Sequence, residues 1–182
     1  MEKLVKLNDK SFRLFKSESE ILSIVRNVAH QINDDYLGKR PLLVPVLNGS
    51  FMFAADLLKE LKLDCELSFV KVVSYHGTQS NGDATTLIGL NHNIEGRHVI
   101  LIEDIIDSGH TLAKIIPILM QQHPASLKVA SLLLKPLALK TDVKVDYVGL
   151  EITNDFVVGY GLDYDGLGRN LRDLYQVVEE PE

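Results

Sequence analysis

The segment Val99-Ile100-Leu101-Ile102-Glu103-Asp104-Ile105-Ile106-Asp107-Ser108-Gly109-His110-Thr111-Leu112 concentrates the chemistry of this chain. Apolar residues 99–102 read as a buried strand, and the two carboxylates of Glu103 and Asp104 stand where that strand should emerge. The turn Asp107-Ser108-Gly109-His110-Thr111 then opens a helical pattern. Backbone N–H groups at such a helix start, with the Ser108 and Thr111 hydroxyls, suit a dianionic phosphate. Gly109 lets the backbone approach a ligand closely. The acid pair just upstream can accept hydrogen bonds from two ribose hydroxyls, so the segment describes a pocket for a sugar phosphate. Taken alone, Asp107 and Ser108 could simply cap a helix; strand, acid pair and glycine turn coinciding in one stretch favour the pocket.

Those residues need a scaffold, and the surrounding sequence supplies one. Leu42 to Leu47 reads as a buried strand, although Pro45 removes a ladder donor. Asn48-Gly49-Ser50 turns the chain into a helical pattern from Phe51 to Leu63, with Ala54, Leu57, Leu58 and Leu61 on one face. Further strands are expected at Leu67–Val73, His98–Ile102, Leu127–Leu134 and Tyr147–Ile152. A helix is expected from Thr111 to Gln122, bent at Pro117, and another from Ser19 to Asp34. Alternating strands and helices imply an α/β fold with a mostly parallel sheet flanked by helices, whose ligands bind beyond the carboxyl ends of the strands. The polar stretch 74–96 is long for a connection and suits a lid. The whole chain, 1–182, is expected to form one domain with a core at about 40–150, the two ends lying outside it.

Composition narrows the function classes. Hydrophobic residues make up 46% of the 182 residues and charged residues 24%, as in ordinary globular proteins. A net charge of −6 argues against a protein whose main task is gripping nucleic acid, where phosphate neutralisation dominates affinity. Cys65 is the single cysteine, so no internal disulfide is possible. The 6 histidines lack metal-site spacing, and a dedicated zinc site is not expected. No signal-peptide run opens the chain and no membrane-length apolar segment occurs, from which we expect a cytoplasmic protein.

The string from Val99 to Leu112 closely resembles the PRPP (phosphoribosyl pyrophosphate) motif of the type I phosphoribosyltransferases, in the version of the hypoxanthine-guanine branch. The resemblance extends from about Leu42 to Leu171 and implies the type I phosphoribosyltransferase fold, with a small hood from the chain ends. It implies transfer of a phosphoribosyl group from PRPP to a 6-oxopurine in purine salvage, with Mg²⁺ as cofactor. Under it Glu103 and Asp104 hold the ribose hydroxyls, and Ser108, Gly109, His110 and Thr111 hold the 5′-phosphate. Asp107 approaches the purine N7 as general base, since N7 must lose a proton as N9 bonds to C1′.

Other segments carry the same likeness. Val46-Leu47-Asn48-Gly49-Ser50 resembles the family's pyrophosphate loop, in which the peptide at Leu47-Asn48 is often cis; Asn48 stands where many relatives carry Lys. Ser74-Tyr75 resembles the start of the family's lid, which would exclude water from the reacting centre. Residues 74–96 contain no Lys or Arg, which counts against an orotate-type enzyme, whose lid supplies a lysine. Lys135, at a strand end, would donate to O6 of the purine and discriminate against adenine. In Asp155-Phe156-Val157-Val158-Gly159-Tyr160-Gly161-Leu162-Asp163-Tyr164, Phe156 would stack on the base, Val157 would read its edge through the backbone, and Asp163 would join Glu103 and Asp104 as metal ligands. Arg169 matches the pyrophosphate-binding arginine, with Arg172 as the alternative.

Family members form dimers or tetramers, so a homo-oligomer is expected by resemblance, with no nucleic-acid and no membrane partner. Other readings of the same fold remain: transfer to xanthine, adenine or uracil, a nucleotide-binding RNA regulator, or an inactive scaffold. The acidic composition disfavours the regulator, and the presence of every proposed acid together with Lys135 disfavours the scaffold.

Overall fold

The computed structural model describes residues 4–75, 84–90 and 92–178. In chain order the elements are β1 (Leu4–Leu7), β2 (Lys10–Lys16), α1 (Glu18–Asp35), β3 (Leu42–Leu47), α2 (Phe51–Glu60), β4 (Glu66–Leu67), β5 (Val70–Tyr75), β6 (Ala84–Ile88) and β7 (His98–Ile106). There follow α3 (His110–Met120), β8 (Ser126–Leu134), β9 (Tyr147–Glu151), β10 (Val157–Val158) and β11 (Leu174–Val177).

The apolar runs read as strands line up as a central sheet in the order β6-β5-β3-β7-β8-β9, with β4 beside the start of β3. Its pairings are parallel except for β5 with β6. Alternation along β7 sends Ile100 and Ile102 to one face, under α1 and α2, and Val99 and Leu101 to the other, under α3. Each fully buried aliphatic there contributes about 1.5–3 kcal/mol of apolar burial. The two chain ends build a separate antiparallel sheet, β1-β2-β11-β10, around Phe12, Val158 and Tyr175.

Several boundaries differ from the sequence reading. The strand expected at 67–73 is interrupted: β4 and β5 keep the same register against β3, pairing Leu43 with Leu67 and Val46 with Val70. The gap falls opposite Val44 and Pro45, where proline has no N–H to give. The α2 helix stops at Glu60, short of Leu63, because Asn33 of α1 donates to the Glu60 carbonyl at 3.2 Å and accepts from the Lys62 N–H at 2.8 Å. The β7 strand runs four residues past Ile102, to Ile106, so Glu103 and Asp104 lie within the strand rather than beyond its end. Stretch 74–96 is not a purely irregular connection, for it contains β6, which pairs Tyr75 with Ala84 and Ser74 with Thr85. The β-branched Thr85 and Thr86 beside Leu87 and Ile88 suit a strand.

Candidate active site

The site lies where β3, β7 and β8 end. The chain leaves β3 through the Leu47–Asn48 peptide, which is cis. Ser50 closes this turn by donating its Oγ to the Val46 carbonyl at 2.6 Å. Gly49 sits directly against the Asp104 carboxylate, and a Cβ there would collide with it. That contact, and not turn geometry, is what requires glycine.

Within β7 the acid pair is split. Glu103 follows Val99 and Leu101 in the alternation and lines a cavity of about 100 Å³ with Asp107, Ser108, Gly109 and Thr111. Asp104 faces the other side, toward Gly49, and its Oδ1 accepts the Ile105 N–H at 2.9 Å. The two therefore do not present one paired surface, contrary to the sequence reading, because neighbours in a strand point opposite ways. Burial pushes the Glu103 pKa well above the ordinary carboxylate range, and the neighbouring Asp104 adds to the effect. Burial raises Asp104 as well, against opposing hydrogen bonds and the pull of the nearby Arg169 guanidinium.

The phosphate-type turn is built as the glycine suggested. Gly109 is the N-cap residue of α3 at φ 79° and offers no side chain as a cap; the Ser108 Oγ accepts a long hydrogen bond from the His110 N–H at 3.5 Å. A Cβ at Gly109 would strike Thr141 Oγ1, and the Lys140 N–H holds the Ser108 carbonyl at 3.0 Å. Segment 139–141 thus braces the turn from behind, a contact for which the sequence carries no signal. His110 and Thr111 are exposed at the helix start.

A second cavity, of about 130 Å³, is lined by Asp107, Lys135, Phe156, Val157 and Asp163. Asp107 lines both cavities. Its Oδ2 accepts a charge-assisted hydrogen bond from Lys135 Nζ at 2.8 Å, and Lys135 itself is 5% exposed. Lys135 is placed by its own N–H, which continues the β7–β8 ladder to the Ile106 carbonyl at 2.9 Å. Phe156 is 40% exposed, tilted against Phe12 at 6.3 Å and edge-on to Tyr164 at 5.8 Å. Val157 is buried, and pairing of β10 with β11 fixes its backbone. Lys10 and Tyr164 adjoin this aromatic group, with Lys10 Nζ 5.8 Å from the Phe156 ring centre; neither was expected from sequence.

Asp163 and Arg169 meet beside Asp104. Arg169 pairs with Asp163 at 2.6 Å and donates to the Gly161 carbonyl at 2.7 Å, while Asp163 also accepts the Gly166 N–H at 2.7 Å. Arg172, the alternative, points away to Glu18 at 3.5 Å. Among the described residues no three His, Cys, Asp or Glu side chains gather as a ready metal cluster. The donors present are hard carboxylate oxygens, which fit an ion that keeps several waters and takes its remaining ligands from substrate phosphates. Ser74 and Tyr75 end β5 on the flank of the site, and segment 76–83 between them and β6 lies outside the described residues. No helix among the described residues is long and apolar enough to cross a membrane.

Fold and site together define a doubly wound α/β protein whose ligand groove crosses the carboxyl ends of its parallel strands. Residues 15–165 match the phosphoribosyl transferase domain, and the chain belongs to that family. The chain is 44% identical over 169 residues to a hypoxanthine-guanine phosphoribosyltransferase of Streptococcus agalactiae serotype V, covering 92% of this chain and 94% of that protein. It is 42% identical over 156 residues to the bifunctional protein TilS/HprT of Listeria monocytogenes serotype 4b, of which it spans only 24%. The crystal structure of a hypoxanthine phosphoribosyltransferase from Staphylococcus aureus superposes with a TM-score of 0.84 at 37% identity, over 91% of this chain and 90% of that one. The fold is accordingly that of the type I phosphoribosyltransferases.

Proposed function

We propose that this protein transfers the phosphoribosyl group of PRPP to N9 of hypoxanthine, and also of guanine, releasing pyrophosphate in purine salvage. The observation that carries this reading is Asp107 lining both cavities while bonded to Lys135. One carboxylate then borders the phosphoribosyl group and the base together.

The 5′-phosphate occupies the Ser108–Thr111 turn, where the N–H groups opening α3 receive it. Glu103 and Asp104 approach the ribose from opposite faces of the strand end, and their charged forms become favourable once a polar, metal-bearing ligand replaces the apolar surroundings. The base lies against Phe156, its edge read by the Val157 backbone. As the C1′–O bond to pyrophosphate breaks and the N9–C1′ bond forms, Asp107 takes the N7 proton. Lys135 has three N–H donors and can serve both Asp107 and O6 of the purine, an arrangement that adenine's amino group does not match. The Leu47–Gly49 loop and Arg169 receive the departing pyrophosphate. Mg²⁺, held by Asp104, Glu103 or Asp163 with substrate oxygens, would neutralise pyrophosphate charge. Ser74 and Tyr75 serve as the start of the lid, the chain acts as one catalytic domain with its hood, and it works as a homo-oligomer in the cytoplasm.

The test is pyrophosphate release from PRPP and Mg²⁺ with hypoxanthine, guanine, xanthine, adenine, uracil and orotate in parallel. Turnover confined to hypoxanthine and guanine is expected. Activity with adenine, uracil or orotate alone would remove the role of Lys135, and PRPP binding without any turnover would favour a regulator.

A further inference from the structure

Three consecutive residues, Gly159, Tyr160 and Gly161, have left-handed backbone with φ of 96°, 47° and 99°. Such a conformation is uncommon for a bulky residue, so the surroundings must hold Tyr160 there. They do so from several sides. Its N–H donates to the Leu171 carbonyl at 2.8 Å, and its ring is 1% exposed. Its hydroxyl donates to Asp56 Oδ2 at 2.6 Å, while Asp56 Oδ1 pairs with Lys59 at 2.7 Å.

Asp56 lies on α2, the helix that begins just past the Leu47–Gly49 loop. On the other side of the tyrosine, Gly161 rests on the Gly49 carbonyl so closely that a Cβ would collide with it. Gly161 also exchanges bonds with Arg169, giving its N–H to the Arg169 carbonyl at 3.0 Å and accepting from the guanidinium at 2.7 Å. The turn is therefore in contact with the loop and with Arg169, and Tyr160 is its anchor. The base side of the site is fixed differently, by pairing of β10 with β11.

We propose that Tyr160 is a positioning residue for the pyrophosphate half of the site: its hydrogen bond to Asp56 clamps the 159–161 turn onto α2 and sets Arg169 and Asp163 over the Leu47–Gly49 loop. The proposal rests on the functional reading above for the identity of the ligand. It assigns no contact with substrate to Tyr160 itself.

The test compares Tyr160→Phe, which removes only the hydroxyl, with Asp56→Leu, Asp56→Asn and the Tyr160→Phe/Asp56→Leu pair. Loss of one charge-assisted bond predicts an increase of roughly 10-fold in the Kd of inorganic pyrophosphate and in the KM for PRPP. The KM for hypoxanthine should barely move in Tyr160→Phe, and the melting temperature should fall by no more than roughly 3–6 °C, as loss of one such bond predicts. Asp56→Asn keeps an accepting oxygen and should restore near-native values, and the double variant should be no worse than the worse single one. Equal rises in both KM values, or unchanged pyrophosphate binding in Tyr160→Phe, would overturn the clamp. A wild-type protein that binds pyrophosphate, loses it in Tyr160→Phe, yet never turns over would end the transferase reading and leave the clamp standing. Turnover by the wild type with pyrophosphate binding identical in both proteins would do the reverse.

Discussion

The two ends of the central sheet differ in how their most perturbed carboxylates are surrounded. At the amino end, Lys128 near the start of β8 meets Asp35 at 2.7 Å and the Tyr147 hydroxyl at 3.0 Å, and Tyr147 in turn donates to Asp35 at 2.7 Å. Hydrogen bonds from Lys128 and Tyr147 hold the Asp35 pKa below its ordinary value, and Asp35 raises that of Lys128. Each charge there is stabilised by its partner. At the carboxyl end, Glu103 and Asp104 are buried with their pKa values raised, beside a glycine that cannot be replaced without collision. One end ties α1 to the sheet; the other buries two adjacent carboxyl groups beside the proposed ligand site. The carboxyl groups held toward the neutral form are the ones that the proposed ligand contacts, a pairing expected where a buried acid serves binding and not folding.

The contrast can be broken most decisively at Asp107. Asp107→Asn should leave PRPP binding in place and lower turnover by about 10²–10⁴-fold, measured as pyrophosphate release. Turnover at the wild-type rate would show that this carboxylate is not the base. Lys135→Ala should come next, lowering kcat/KM for hypoxanthine by roughly 10–10²-fold through loss of a charge-assisted bond; purine kinetics equal to wild type would refute its role.

Glu103→Gln sharpens the comparison in stability. It should raise the melting temperature, by roughly 2–4 °C for each kcal/mol of burial cost relieved, while weakening PRPP binding. The sign follows from linkage: with the folded pKa raised, the wild type loses stability as pH rises through the ordinary carboxylate range toward the folded value. The advantage of Glu103→Gln is thus absent in acid and grows toward neutrality; a variant less stable than wild type at neutral pH would contradict this. The smallest effect belongs to Asp35→Ala, about 1 kcal/mol or less by denaturant unfolding, since the pair is partly exposed. With its folded pKa lowered, Asp35 contributes above the ordinary range and loses that contribution as pH falls. Its activity should match wild type, and a catalytic defect would erase the distinction between the two ends.

Much of this was legible in the letters. Residues 99–112 declared a strand, acids and a glycine turn because each depends on local properties: apolar runs, carboxylates and freedom at positive φ. Gly109 at φ 79° is such a case. The separation of Glu103 from Asp104 onto two faces was implicit in strand alternation, but visible only once β7 was known to extend to Ile106. The end of α2 at Glu60 was not legible, since Asn33 that takes its last carbonyl comes from another helix.

The sequence by itself determined which residue types could do chemistry, and that they would hang on strand ends of an α/β fold. Tertiary structure alone decided which of them meet: Asp107 with Lys135 at 2.8 Å, Asp163 with Arg169 at 2.6 Å, Gly49 against Asp104, and Tyr160 reaching Asp56 across 104 positions. Periodicity and turn preference act over a few neighbouring residues, whereas these contacts are fixed by the packing of whole elements, which no local pattern records.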